Sequence, residues 1–365
     1  MHGQITTEAI AEEVFERPNV GRSIISRLAI GTALLLVLTL LTAIVSASVG
    51  PFSIPFPHTV STLFDLVGIG STVAEPTEQA IIENIRLPRI FLAFTVGAAL
   101  GVAGGIMQGL FRNSMADPGI IGVSSGGATG AVIAIASGLA ATSTLFIPLF
   151  AFLGAMGAML VVFAIATVGG RFSMATLLLG GIAVSSFLGA VTSATIILTD
   201  DLTVQRQIIF WIAGGVDAAR WESVRNAAPI VIAGSVIAMF IARDLNLLLV
   251  SEDEARSLGV RVTLVRNLLL VCASMITGAA VAFSGIIAFV GLVVPHVMRL
   301  VVGADHRVLL PLSALAGGLF LLVADTAARI ILSPAELRVG IITAMFGAPF
   351  FVYLLVKNRS RASLL

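Results

Sequence analysis

The chain has 365 residues, 58% of them hydrophobic and 11% charged, with a mean hydropathy of +1.06. Soluble domains run about 45–50% apolar and about 25% charged, and disorder needs low hydrophobicity with high net charge, so both classes are excluded. A net charge of +1 supplies no bulk field for nucleic acid, and the single cysteine, Cys272, excludes an internal disulfide or a cysteine-built zinc cage.

Residues 1–27 are polar and read as a cytoplasmic tail or surface helix. The apolar segment that follows is too long for the short apolar core of a signal peptide. Crossing a hydrocarbon core of about 30 Å takes about 20 mostly apolar residues. Windows free of Asp, Glu, Lys and Arg predict ten spans: about 28–49, 90–110, 119–138, 145–168, 175–197, 223–242, 264–283, 286–302, 308–332 and 338–357. Gly285 divides the long window before Arg299 into two shorter helices. The predicted fold is an all-α membrane protein whose spanning domain covers 28–357, followed by a short cytoplasmic tail, 358–365. With the N-terminus inside, Arg and Lys, Arg171 among them, fall inside about twice as often as outside, so the positive-inside rule places both termini in the cytoplasm.

Along the second span Gly97, Gly101, Gly105 and Gly109 recur every four residues and form one stripe, as tight helix crossings in lipid require. At its start, Arg86-Leu87-Pro88-Arg89 places two arginines around a helix-starting proline. They read either as headgroup anchors or as acceptors for carboxylates of an external partner. Gly122-Val123-Ser124-Ser125-Gly126 matches the nucleophile-elbow pattern G-x-S-x-G, with His296 and Asp325 as its conceivable partners. No strand precedes it, and a broken helix lining a cavity explains the same glycines.

The loop after the sixth span reads Ser251-Glu252-Asp253-Glu254-Ala255-Arg256-Ser257-Leu258-Gly259. Ser251 is a good N-cap, acids fill the first turn and Gly259 is a stop, so a short helix is predicted there. It is either a connector or a coupling helix that docks in another protein. On the ninth span Asp325 and Arg329 stand four apart and can pair on one face. His2, His58, His296 and His306 form no close ligand pair, so no metal site is expected. Lys357 is the only lysine and belongs to no G-x-x-x-x-G-K-[ST] phosphate loop, so ATP is not bound here through such a loop.

At these residues the chain resembles permease subunits of the ABC importers for iron–siderophore complexes, haem and cobalamin. The resemblance rests on Arg86–Arg89 (RLPR), 108–126 (QGLFRNSMADPGIIGVSSG), 245–260 (LNLLLVSEDEARSLGV), 289–300 (FVGLVVPHVMRL), 303–315 (GADHRVLLPLSAL) and 334–349 (PAELRVGIITAMFGAP). It implies ten helices per subunit and a homodimer of permeases in a bacterial cytoplasmic membrane. It also implies an extracytoplasmic binding protein and two separate ATPase subunits that carry the Mg–ATP, this chain itself holding no cofactor. Under the resemblance, Arg86, Arg89 and Arg329 meet glutamates of the binding protein. The coupling helix falls on about 252–260, with Glu254, Ala255, Arg256, Leu258 and Gly259. The cytoplasmic gates fall on Asn113 and Met115 and on Met174 and Ala175. The chain lacks the small hydroxyl residues that some relatives carry at the second gate, and Ser114 stands where relatives often have proline. Ferric siderophore is the first cargo expected, haem the second and cobalamin the third. Two other classes compete: a secondary transporter, for which Asp325 is the one carboxylate deep in a span, and an intramembrane serine hydrolase acting through Ser124.

Overall fold

The structure, a computed structural model, describes residues 20–170 and 172–362. Most of the expected N-terminal tail, Arg171 and residues 363–365 lie outside the described residues. All regular structure among the described residues is helical. In chain order the helices are α1 (Val20–Ser48), α2 (Phe56–Leu66), α3 (Pro76–Ile81), α4 (Leu87–Leu110), α5 (Val123–Ala136), α6 (Leu139–Thr142), α7 (Phe146–Ala166) and α8 (Met174–Ile197). Then come α9 (Leu202–Ile212), α10 (Trp221–Phe240), α11 (Ala242–Val250), α12 (Glu252–Ser257), α13 (Val262–Ser284), α14 (Val290–Val302), α15 (His306–Ile330) and α16 (Val339–Ala362).

Seven helices are long and apolar enough to cross a bilayer, and three apolar ones, Val123–Ala136, Val290–Val302 and Val339–Tyr353, are shorter. These occupy the ten stretches expected to span. The first helix starts inside the expected tail, and the last runs through Ala362 where a tail was expected. The second is continuous from Pro76 through a π turn at Ile82–Arg86. The helices α2, α9 and α11 were not expected: each is too short or too mixed in polarity to stand out as a charge-free window.

The glycine stripe sets the centre of the bundle. α4 and α15 run antiparallel, and every stripe position faces α15. A methyl group at Gly97 would lie 2.2 Å from the carbonyl oxygen of Gly317, and one at Gly101 2.2 Å from that of Ser313. One at Gly105 would lie 2.7 Å from Leu310, and one at Gly109 2.8 Å from the ring of His306. Backbones this close gain dispersion contacts that lipid cannot replace. α13 and α14 pack beside this pair, while α1 lies outside it against α15, Gly31 over Leu312.

Two short helices begin part-way through the bundle. At 1.5 Å per residue, the 14 residues of α5 and 13 of α14 rise about 20 Å, short of a full crossing. A 3-10 turn, Pro118–Ile121, leads into α5 through Gly122 at φ 82°; a non-helical segment leads into α14 through Phe289 at φ 68°. The two starts meet, Gly291 packing on Pro118 and on the Gly104 backbone. Irregular backbone at this depth is tolerated because protein buries it. α7 packs on α5 through Gly154 and Gly126, whereas α8 buries only Leu177, Gly180 and Gly181 and leaves its other face open.

Candidate functional site

At the end where α4 starts and α15 finishes, three arginines converge. The π turn and first turn of α4 present Arg86 and Arg89; the last two turns of α15 present Asp325 and Arg329. Arg89 donates to both carboxylate oxygens of Asp325 at 2.9–3.1 Å and to Glu336 at 2.8 Å. Arg329 lies 3.3 Å from Asp325 and donates to the carbonyls of Ser46 and Val49 at 3.1 and 3.0 Å. Arg86 donates to the carbonyls of Ala47 and Phe52. The expected pair Asp325–Arg329 is therefore present, but as part of a larger clasp that ties α1, α4, α15 and the loop before α16.

This geometry buries the arginines expected at the outer face. Arg86, Arg89 and Arg329 are not exposed cations; they are 5%, 7% and 3% exposed, and main-chain carbonyls and carboxylates take their donors. Burial follows from α1, whose end folds over the arginines and offers its unsatisfied C-terminal carbonyls. At the same end Arg206, Arg220 and Arg225 are exposed.

Beside the clasp lies a cavity of about 700 Å³ that the sequence did not foretell. Trp211, Phe283 and Ile147 give it apolar walls, and Asp217, Arg220 and Arg338 give it a charged rim. Arg338 pairs with Asp217 and lies over the Phe210 ring at 4.8 Å.

The opposite end carries the loop helix. α12 spans Glu252–Ser257, shorter than the expected 252–260. Ser251 caps it, its hydroxyl accepting from Asp253 and Glu254 main-chain N–H groups at 3.2 and 3.4 Å. Gly259 ends it at φ 84°, as a stop residue should. Ala255 is buried, Glu254 and Arg256 are exposed, and Leu258 stands 67% exposed. Of the expected gate residues, Asn113 and Ala175 are exposed and Met115 and Met174 half-buried, all at this same end. Asn113 accepts from the Met115 N–H at 2.9 Å, shaping its loop, and Ser173 caps α8 immediately before Met174.

Asp305 organises the neighbouring corner. It caps α15, accepts from Asn246 at 2.7 Å and pairs with Arg307 at 2.6 Å. The Arg307 hydrogen bonds hold its carboxyl down to about 2.

Ser124, His296 and Asp325 are not brought together. Asp325 is taken by Arg89, and His296 reaches the main chain of Ser114 instead. Gly122-to-Gly126 is the broken helix start, so no hydrolase constellation forms among the described residues.

The class these features define is a polytopic membrane permease, and the comparisons agree. The FecCD transport family model matches residues 35–357, and the chain belongs to that family. It is 51% identical to the cobalamin import system permease protein BtuC of Halobacterium salinarum, over 78% of this chain and 76% of that one. It is 40% identical to the hemin transport system permease protein HmuU of Yersinia pestis, over 90% and 96%. With the Fe(3+) dicitrate transport system permease protein FecC of Escherichia coli the identity is 37%, over 77% and 84%. A solved structure described as an inward-facing conformation of a metal-chelate type ABC transporter superposes with a TM-score of 0.79 at 33% identity, covering 88% of this chain and 97% of that one. The protein is thus a permease of the ABC importer family for iron chelates, haem, citrate complexes or cobalamin.

Proposed function

We propose that the chain is the translocation subunit of an ATP-driven importer that moves a metal chelate from an extracytoplasmic binding protein into the cytoplasm. Ten spans with both termini inside put the arginine clasp outside and α12 inside. Two copies pair, burying the open face of α8 and the exposed Ile341, Met345 and Phe346 of α16, and two separate ATPase chains carry Mg–ATP and dock on α12. The observation that carries this reading is α12 itself: a capped helix between membrane helices, followed at once by the exposed Leu258.

The clasp arginines brace the external mouth. Three guanidinium groups face two carboxylates, Asp325 and Glu336, so the cluster keeps one surplus positive charge that steers an acidic partner. Direct contacts with that partner fall to the exposed Arg220 and Arg225.

An iron chelate is the first cargo in this proposal, with haem next. One observation favours a second reading, cobalamin: the relative named for cobalamin import shares 51% identity, against 40% and 37% for those named for hemin and ferric dicitrate transport. Uptake by vesicles holding the full complex, with labelled ferric siderophore, haem and cobalamin in competition, decides between them. Equal failure of all three would remove the chelate proposal.

A further inference from the structure

ATP hydrolysed in another chain can open a path here only if the surface it pushes is mechanically joined to the gates. Two arginines make such joints. Arg266, near the start of α13, lies 3.3 Å from Glu252 in the first turn of α12. Its guanidinium also lies 4.1 Å over the ring of Phe172. Phe172 is two residues before Met174 and packs on Phe163, ring centroids 5.9 Å apart. One nearly buried side chain thus touches both the coupling helix and the loop of the second gate.

Arg112 makes the second joint. It donates at 2.6 Å to the carbonyl of Leu248, in the last turn of α11, three residues before the N-cap of α12. Its neighbour Asn113 is the first gate residue. Arg112 holds φ 47°, a left-handed conformation unusual for a residue with a Cβ. That cost is retained where surrounding contacts over-determine the backbone, and the Leu248 bond is such a contact.

We infer that Arg112 and Arg266 are separate tethers, each transmitting movement of the α11–α12 segment to one gate loop. Both are positioning residues, and the assignment rests on the importer reading above. The planar guanidinium suits Arg266, because one group can stack on a ring and pair with a carboxylate at once. A lysine would keep the charge and lose the stack.

The test uses the complete transporter with its ATPase subunits and binding protein, in a Cys272→Ser background that removes the native thiol. Asn113→Cys or Ala175→Cys then reports accessibility to an impermeant maleimide, with and without a non-hydrolysable ATP analogue. We expect nucleotide to change labelling at both sites. Arg112→Gly, which fits the left-handed backbone, abolishes the response at 113 and leaves that at 175. Arg266→Met and Phe172→Leu do the reverse, and Arg266→Lys restores only part. ATP hydrolysis continues in all of them, whereas a merely structural role would lower assembly, hydrolysis and both responses together. Unchanged responses at both sites, or parallel loss of both in each variant, overturn the tethers while wild-type uptake stands. A wild-type complex without ATP-driven uptake overturns the importer reading, and the tethers with it.

Discussion

Arg89 and Asp325 meet from opposite ends of the sequence in a three-contact pair, all between 2.9 and 3.1 Å, with 9% and 1% of their side chains exposed. The pair closes the same helix crossing that the glycine stripe opens. A secondary transporter coupled through Asp325 would need that carboxylate to exchange protons or ions, and here two arginines hold it. Removing one partner unbalances the cluster, although Arg329 still reaches Asp325 and Glu336 still reaches Arg89, so the cost falls below the roughly 3–5 kcal/mol of a broken isolated buried pair. Asp325→Ala and Arg89→Ala are each expected to lower thermal stability in detergent, and the paired change Arg89→Met with Asp325→Leu to recover only part of it, because Arg329 and Glu336 then lose their partners. Single variants as stable as wild type would show that the pair does not brace the mouth.

The stripe gives a second test. Gly101→Ala puts a methyl group 2.2 Å from a main-chain oxygen of α15, whereas at Gly157, on α7, nothing lies within 4 Å. We expect Gly101→Ala to cost about 1–3 kcal/mol through forced separation of α4 and α15. Gly157→Ala is expected to be neutral or slightly stabilising, because alanine is the better helix former. Thermal unfolding of the two variants side by side checks this; equal stability would contradict the packing.

Why was the stripe legible from sequence and the clasp only half legible? Four glycines at a spacing of four are a periodic signal, and lipid leaves close packing as their natural use. Asp325 and Arg329 also announced themselves, being four apart on one helix. Arg89 did not, because its bond to Asp325 depends on the antiparallel register of α4 and α15, and neither did Glu336, which accepts from Arg89 out of the loop before α16. The burial of Arg86 depends on how the end of α1 folds back, which no local pattern records. α12 was readable because a serine cap, an acidic turn and a glycine stop are all local. The tethers were not, since Leu248 accepts through its carbonyl and Phe172 through its ring, and neither role marks a residue type.

Exposure moves the docking test to new residues. Arg220→Glu with Arg225→Glu is expected to weaken capture of the binding protein, each exposed contact contributing about 1 kcal/mol or less. Affinity measured at low and high salt checks this, since the effect must shrink as salt rises. Unchanged affinity at low salt would exclude this rim.

Asp305 supplies a pH dependence. Its folded carboxyl titrates at about 2, below the usual value of about 3.9, so its charge stabilises the folded state at neutral pH. That contribution starts to fall below about pH 5 and is gone below about pH 2; screened by solvent, it amounts to about 1 kcal/mol. Asp305→Asn keeps an acceptor for the cap and removes the charge. The stability gap between wild type and this variant is therefore expected to narrow as pH drops from 5 to 3. A gap that stays constant would place the effect in the cap alone.

The most direct measurement is uptake of labelled chelate by vesicles carrying the wild-type chain or Leu258→Asp, each with its ATPase subunits and binding protein. Leu258 is 67% exposed, so the change leaves the packed bundle untouched. The importer account requires accumulation that depends on ATP and on the binding protein in wild type, and its loss in Leu258→Asp with membrane level and binding-protein affinity preserved. Uptake that proceeds without the ATPase chains, or that survives Leu258→Asp undiminished, would contradict it.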